Sequence, residues 1–413
     1  MSRRLLDPVG FPARVGPLTF LLLALLSQTT GSLTQQGTSV LGVFFAQRFH
    51  LSLASLGAVV AANNLGMMVG FTFTGTLSDR WGPRRLLLVG AVAMAVATGL
   101  TAVANSLAAL LAGLFAMGVS LSVVPSAGSK AVFVAFRGRP RGVAIGVRQT
   151  GVPLGSALAA ATLPYTVERF GLSAVFTLLA GLLWAMGWVF ALQILPTPPE
   201  PGTRAVGPQS PRQRMRRLLW PLAVAALMAA GQYDLLTFTI PSLQALGVNL
   251  VGGGLVLAAA QVGGGLGRIV LGHLSDRRGG SRAYYLVWLG LLGGVMAAVA
   301  AFLPSHPPAA VLAALWLFFG LGAVGWNALV IVWAGERVPP PHAGWAMSLV
   351  ATVVFMGAVV YPPLFGWIAD RTHGYAASWL QLASCLVLAA GLALFAWRQE
   401  ERPGSRASSV LHS

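Results

Sequence analysis

GTLSDRWGPRR, residues 75–85, and GHLSDRRGGSR, residues 272–282, share the frame Gly-x-Leu-Ser-Asp-Arg-x-Gly-x-x-Arg at an offset of 197 residues. Each copy sets four charged residues between long apolar stretches. Elsewhere charge is scarce: only 9% of the 413 residues are charged and 56% are hydrophobic. A soluble domain carries about 25% charged residues. The composition is that of a polytopic membrane protein, and the abundant glycine suits helices that pack closely in lipid.

A membrane helix needs about 20 mostly apolar residues. Twelve runs qualify, at 16–47, 51–77, 85–104, 107–136, 142–164, 172–195, 217–246, 248–274, 283–303, 308–336, 344–368 and 375–397. The sequence therefore predicts an all-α polytopic membrane protein of twelve transmembrane helices, as two six-helix pseudo-repeated bundles. Residues 1–15 read as an N-terminal tail, 16–195 as the first bundle, and 217–397 as the second. The stretch 196–216 is Pro-rich and basic and reads as a linker, and 398–413 as a C-terminal tail. The first run lacks a small-residue cleavage site, so it reads as a retained helix.

The net charge of +17 is spread over short loops, not gathered on one face as nucleic-acid binding requires. Odd-even assignment of the runs puts 21 Arg on the side of both termini and three, Arg48, Arg169 and Arg371, on the other. The positive-inside rule makes the termini cytoplasmic. The lysine-poor, Arg-rich usage points to a bacterial source, hence a bacterial cytoplasmic (inner) membrane. The single Cys385 excludes an internal disulfide. No His, Cys or carboxylate set has metal-ligand spacing, and GLGAVG (320–325) lies in an apolar run with no strand before it, against dinucleotide binding. No catalytic triad is legible, so the chain reads as neither enzyme nor cofactor protein.

Within the first box, Gly75 allows close helix approach. Gly82-Pro83 makes a turn into the next helix, and Arg80, Arg84 and Arg85 reach headgroups or acidic partners. Asp79 is an acid on the basic side, where orientation has no use for one. It could cap backbone N–H groups or pair with Arg. Asp276 poses the same question beside Arg277, and Arg268 lies just before that box.

The doubled box, in the loops after the second and eighth runs, resembles the signature of the major facilitator superfamily. The resemblance extends over the whole chain in run count, halves, central loop and orientation. It implies alternating-access transport, with the box aspartates latching the outward-open state. Asp79 would dock on the start of the eleventh run near Gly344, and Asp276 on the start of the fifth near Gly142. The bland reading keeps the boxes as orientation devices only. There are departures. Pro83 stands where the family has a basic residue, and the second box has GGS in its turn. The fourth run lacks the Arg of many proton antiporters. The fifth has Gly142, Gly151 and Gly155 of the antiporter glycine motif, but Ser156 and Ala159 where that motif has Pro and Gly.

Ionisable residues at membrane depth are functional candidates. Asp234 is the one acid near a run's centre and suits proton coupling, which needs a group that is charged in one step and neutral in another; a structural acceptor is the alternative. Arg148 stays charged and could grip an anion bidentately, or pair with a facing polar group. Lys130 lies nearer the end of its run, where it can snorkel. The polar first run SQTTGSLTQQGTS, with Gln28 and Gln35, should line a cavity and bend near Gly31 or Gly37; a buried polar seam is the other reading. Asn63, Asn64, Gln232, Tyr233, Trp326 and Asn327 add hydrogen bonds and an aromatic wall. Gly142, Gly146, Gly151, Gly155, Gly263 and Gly267 form packing seams.

The reading favoured is a monomeric secondary transporter moving a small organic solute, with an anion the one Arg148 suits, coupled to protons through Asp234. Its partners are the solute, protons and the lipid bilayer. A drug exporter is the first alternative. A non-transporting receptor and a membrane-embedded enzyme are the readings of other classes.

Overall fold

A backbone in lipid must satisfy its own N–H and C=O groups, so apolar runs of this length become helices. In a computed structural model, which describes residues 11–49, 53–195, 210–278 and 281–401, they do so along nearly the whole chain. The helices fall at the predicted runs, from Pro17–Val40 and Gly42–Phe49 in the first to Ala376–Glu401 in the last. Nine spans among the described residues are long and apolar enough to cross a membrane, and one of them, Arg141–Gln193, contains the fifth and sixth runs. Gly171 separates these two with φ 80° and ψ 163°, a left-handed conformation that glycine adopts without strain. The helices of the first two runs, Pro17–Val40 with Gly42–Phe49 and Leu53–Trp81, are not among these nine. Most of the linker (196–209) and parts of both tails (1–10, 402–413) lie outside the described residues.

Punctuation follows the local chemistry. Gly82 turns the first box with φ 78°, and Pro83 opens the next helix, Pro83–Ala102, where its missing N–H costs nothing. The helix Pro211–Ala245 starts inside the stretch read as linker. Ser210 and Gln213 close a reciprocal capping box there. Its first turns carry Arg212, Arg214, Arg216 and Arg217, which hydropathy reads as loop. The first helix runs unbroken through Gly31 and Gly37 and is interrupted at Leu41, so the predicted bend is displaced. Gly31 instead receives Val124, and Gly37 receives Leu163. The fourth run breaks at Ser122, the fifth at Thr150 and the tenth at Gly325-Trp326.

The chain divides into two compact units, Met1–Pro208 with Val338–Thr352, and Gln209–Arg337 with Val353–Ser413, as far as these are described. In the first, Leu53–Trp81 packs on Leu107–Leu121, and Pro83–Ala102 on the later part of Gly151–Gln193. In the second, Leu250–Arg278 packs on Ala309–Val324, and Arg282–Ala301 on Ala376–Glu401. The two units repeat one contact atom for atom. Gly66 faces the Phe115 carbonyl and Gly118 the Asn63 carbonyl; Gly263 faces the Leu317 carbonyl and Gly320 the Ala260 carbonyl. Gly66 to Gly263 and Asn63 to Ala260 are both the box offset of 197. At these points backbone meets backbone with no space for a Cβ, the close approach that small residues provide between membrane helices.

Gly263→Ala should therefore destabilise the protein by about 1–3 kcal/mol through overpacking. Gly99→Ala, whose added methyl meets nothing within 4 Å, should be neutral or stabilising by up to about 1 kcal/mol. Thermal unfolding of both variants in detergent checks this; equal midpoints would contradict the contact.

Candidate functional site

In the first unit, Asp79 ends the helix Leu53–Trp81 and meets the start of the helix Ala343–Thr372. Its Oδ1 accepts the Gly344 N–H at 2.9 Å and its Oδ2 the Trp345 N–H at 2.8 Å. The first N–H groups of a helix have no partner within it, and the helix dipole favours an anion there. Asp79 thus acts as an N-cap delivered from another helix. The sequence prepares the meeting with two glycines: Gly75 lies against Ser348 and the Gly344 carbonyl, and Gly344 against Asp79 and the Gly75 carbonyl. Arg80 and Arg85 are exposed and Arg84 is half-buried. The cation that reaches Asp79 is Lys130, whose Nζ stands 2.6 Å from Oδ1 and donates also to the Ser78 carbonyl at 2.9 Å. Sequence reasoning had Lys130 snorkelling. Nothing in its spacing shows that it lies across from Asp79.

One turn away on Val123–Ala135, four buried hydroxyls form a chain. Ser122 Oγ donates to Thr74 at 3.3 Å, Thr74 and Ser126 share a bond of 2.9 Å, and Ser348 Oγ donates to Ser126 at 2.8 Å. Ser348 belongs to the same helix start that Asp79 caps. Serines and threonines spaced as these are carry no sequence signal of their own.

Arg148, fully buried on Arg141–Gln149, donates Nη1 to Ser129 Oγ at 3.0 Å and Nη2 to the Val124 carbonyl at 2.6 Å. Its Nε is buried without a partner, and no described carboxylate pairs with it. Gly128 has no Cβ because the guanidinium occupies that place. The one side-chain acceptor of Arg148 among the described residues is Ser129, on the fourth run. Positive charge held out of water by neutral acceptors alone still favours an anion.

The polar first helix is mostly a seam. Thr29, Thr30, Thr34 and Thr38 donate to carbonyls one turn back, as hydroxyls do inside membrane helices. Gln28 Nε2 donates to Ser32 at 3.1 Å, while its Oε1 is buried without a partner. Gly151 and Gly155 back onto the chain around Leu25–Leu33. Gln35 and Asn64 are half-buried. Gly142 and Gly146 are buried on Arg141–Gln149.

In the second unit, Asp234 is fully buried on Pro211–Ala245, and neither carboxylate oxygen has a hydrogen-bond partner among the described residues. Tyr361 and Cys385 lie within electrostatic range. Gln381 Nε2 donates to Cys385 Sγ at 3.1 Å and leaves its own Oε1 buried and unmatched. Cys385 thus shares the neighbourhood of Asp234. Beside it, Asn327 Nδ2 donates to Gln232 Oε1 at 2.6 Å, joining two predicted cavity residues. Trp326 is fully buried with Nε1 on the Ala323 carbonyl, the geometry of a packing residue at a helix break. Arg268 donates to the Val324 carbonyl at 3.3 Å and interacts electrostatically with Tyr233.

The second box closes differently from the first. Arg282 Nη1 pairs with Asp276 at 2.8 Å, and its Nη2 with Glu336 at 3.0 Å. The final arginine of the frame thus clamps two carboxylates. Arg277 is exposed. Gly142, the neighbour implied for Asp276, belongs to the first unit. Gly263 and Gly267 pack on the chain around Leu317–Gly325. Among the described residues no three of His, Cys, Asp and Glu gather as a metal site would need.

The sequence model of the Major Facilitator Superfamily matches residues 20–362. An uncharacterized MFS-type transporter of Mycobacterium tuberculosis is 27% identical, over 92% of this chain and 84% of its own length. The gentisate transporter of Corynebacterium glutamicum is 25% identical, over 84% of this chain and 80% of its own. Among solved structures, the Escherichia coli fucose:proton symporter FucP superimposes with a TM-score of 0.72 at 14% identity, covering 92% of this chain and 98% of that one.

If the bonds to Ser129 and Val124 only shelter the Arg148 charge, Arg148→Met should unfold at the same temperature or higher. Replacing a buried charge by an apolar side chain is often stabilising by about 1–4 kcal/mol. A large fall in the thermal midpoint would instead make the guanidinium a structural tie.

Proposed function

Because this chain belongs to the Major Facilitator Superfamily, a family of transporters and not of enzymes, we propose that it is a proton-coupled secondary transporter for a small organic anion, working by alternating access. Arg148 carries the reading: a fully buried guanidinium with no carboxylate among its described neighbours and one N–H unsatisfied. A carboxylate solute would supply the missing charge and accept from it bidentately. The gentisate transporter among the relatives acts on such a carboxylate, and FucP is a proton symporter; both support the class.

Asp234 is the proton site in this reading. A buried carboxylate with both oxygens unmatched is costly when charged, and a proton taken up there removes the cost. Gln28, Gln35, Asn64, Gln232, Tyr233 and Asn327 are the further solute contacts. Asp79, with Arg80, Arg84 and Arg85, forms the cytoplasmic latch on the start of Ala343–Thr372, and Asp276, Arg277 and Arg268 its counterpart. The glycine seams hold helices in close contact within each unit. The 21-to-3 arginine bias supports cytoplasmic termini, and the reading is of a monomer in a bacterial inner membrane.

Proteoliposome uptake of a panel of carboxylates and hydrophobic cations, with and without an inward proton gradient, tests this. Uptake of a carboxylate that Arg148→Met reduces at least about 100-fold is expected, since truncating one side of a buried charged contact costs several kcal/mol. Transport of hydrophobic cations that ignores Arg148→Met would instead favour drug export. Asp234→Asn should keep solute exchange at equal concentrations but lose accumulation driven by the gradient; full accumulation would remove Asp234 from coupling.

A further inference from the structure

Asp79 accepts three hydrogen bonds from donors of two kinds. Gly344 and Trp345 offer backbone N–H groups from a helix whose residues from Val353 onward belong to the second unit. Lys130 offers its ammonium from Val123–Ala135, a helix packed against Leu53–Trp81 inside the first unit. The side chains of Lys130 and Asp79 are 8% and 7% exposed. Lys130 is the only lysine in a chain whose other 26 basic residues are arginine.

We infer that Lys130 is the positioning residue that lets the Asp79 latch open, by keeping the carboxylate paired when the helix start withdraws. The inference rests on the latch reading given above. Without Lys130, withdrawal of Gly344 and Trp345 would strip a buried carboxylate of its partners, and an uncompensated buried charge is strongly disfavoured. Lys130, 2.6 Å from Oδ1 in this structure, would keep the carboxylate paired with a cation. Lys130 also competes with Gly344 for the same oxygen, Oδ1. An ammonium suits this better than a guanidinium: it is a compact charge on a flexible stem and can follow the carboxylate. That stem passes over Gly344, where a Cβ would come within 3.1 Å of Lys130 Cδ. The hydroxyl chain obeys the same logic. If Ser348 leaves, Ser126 keeps its bond to Thr74. Asp79 and Ser126, the two groups left behind, thus each retain a partner when the helix start withdraws.

The lone cysteine makes the test direct. In a Cys385→Ser background, Met347→Cys places one thiol on the helix start, at a position 3% exposed. Its rate of reaction with N-ethylmaleimide in membrane vesicles at pH 8 reads withdrawal of that helix. Asp79→Asn should speed labelling. Lys130→Met should slow it by about 100-fold or more, the scale of a buried unpaired charge, and Lys130→Arg should fall between Lys130→Met and the parent. Adding Asp79→Asn to Lys130→Met should restore fast labelling, because no charge is then stranded. If Asp79→Asn changes nothing, the latch reading falls and the inference with it. If Asp79→Asn speeds labelling but Lys130→Met does not slow it, only the role of Lys130 is overturned. A Lys130→Met protein that is slow because it is misfolded stays slow in the double variant, which also overturns it.

Discussion

Every polar group carried into a bilayer must find its partner inside the protein, and this constraint orders the whole molecule. It makes each apolar run a helix, because only a helix satisfies its own backbone. It sends the threonine hydroxyls of the first helix back to carbonyls one turn earlier. It also explains the glycine contacts that recur in both units. With no hydrophobic drive between helices in lipid, association comes from close backbone approach, and Gly66, Gly118, Gly263 and Gly320 provide it at equivalent places.

The same constraint ranks the buried charges by how far they are satisfied. Asp79 is fully matched, by two helix N–H groups and an ammonium. Arg148 is half matched, by a hydroxyl and a carbonyl but no anion. Asp234 has no hydrogen bond among the described residues. The proposed roles are a latch for Asp79, a solute contact for Arg148 and a proton site for Asp234. The two boxes also part ways on this scale. Arg282 satisfies Asp276 from within its own frame, whereas the first frame leaves Asp79 to Lys130.

Much of the fold was legible in the residues. Hydropathy located the helices, and the repeated frame gave the offset at which Gly66 and Gly263 make the same contact. Errors fell where local polarity contradicts membrane depth. The arginines after Ser210 hid a capped helix start, and Gly31 and Gly37 looked like hinges although they receive Val124 and Leu163. For the candidate site, Arg148 and Asp234 stood out because an ionisable residue in an apolar run is anomalous by itself, and Asp79 because it is an acid on the basic side. Ser126, Ser129, Ser348, Tyr361 and Gln381 did not, because such residues are ordinary in membrane helices until a neighbour gives them a task.

Sequence by itself determined which charges lie within the runs, where the box repeats and which glycines stand at its offset. Composition and spacing along one chain suffice for that, since burial in lipid is a property of each run. The tertiary structure alone decided who answers each charge. Lys130 reaches Asp79 across 51 positions of sequence, and Gly344 reaches it across 265. Hydrogen bonds act over a few ångströms in space, and no periodicity along a helix records which other helix lies that close.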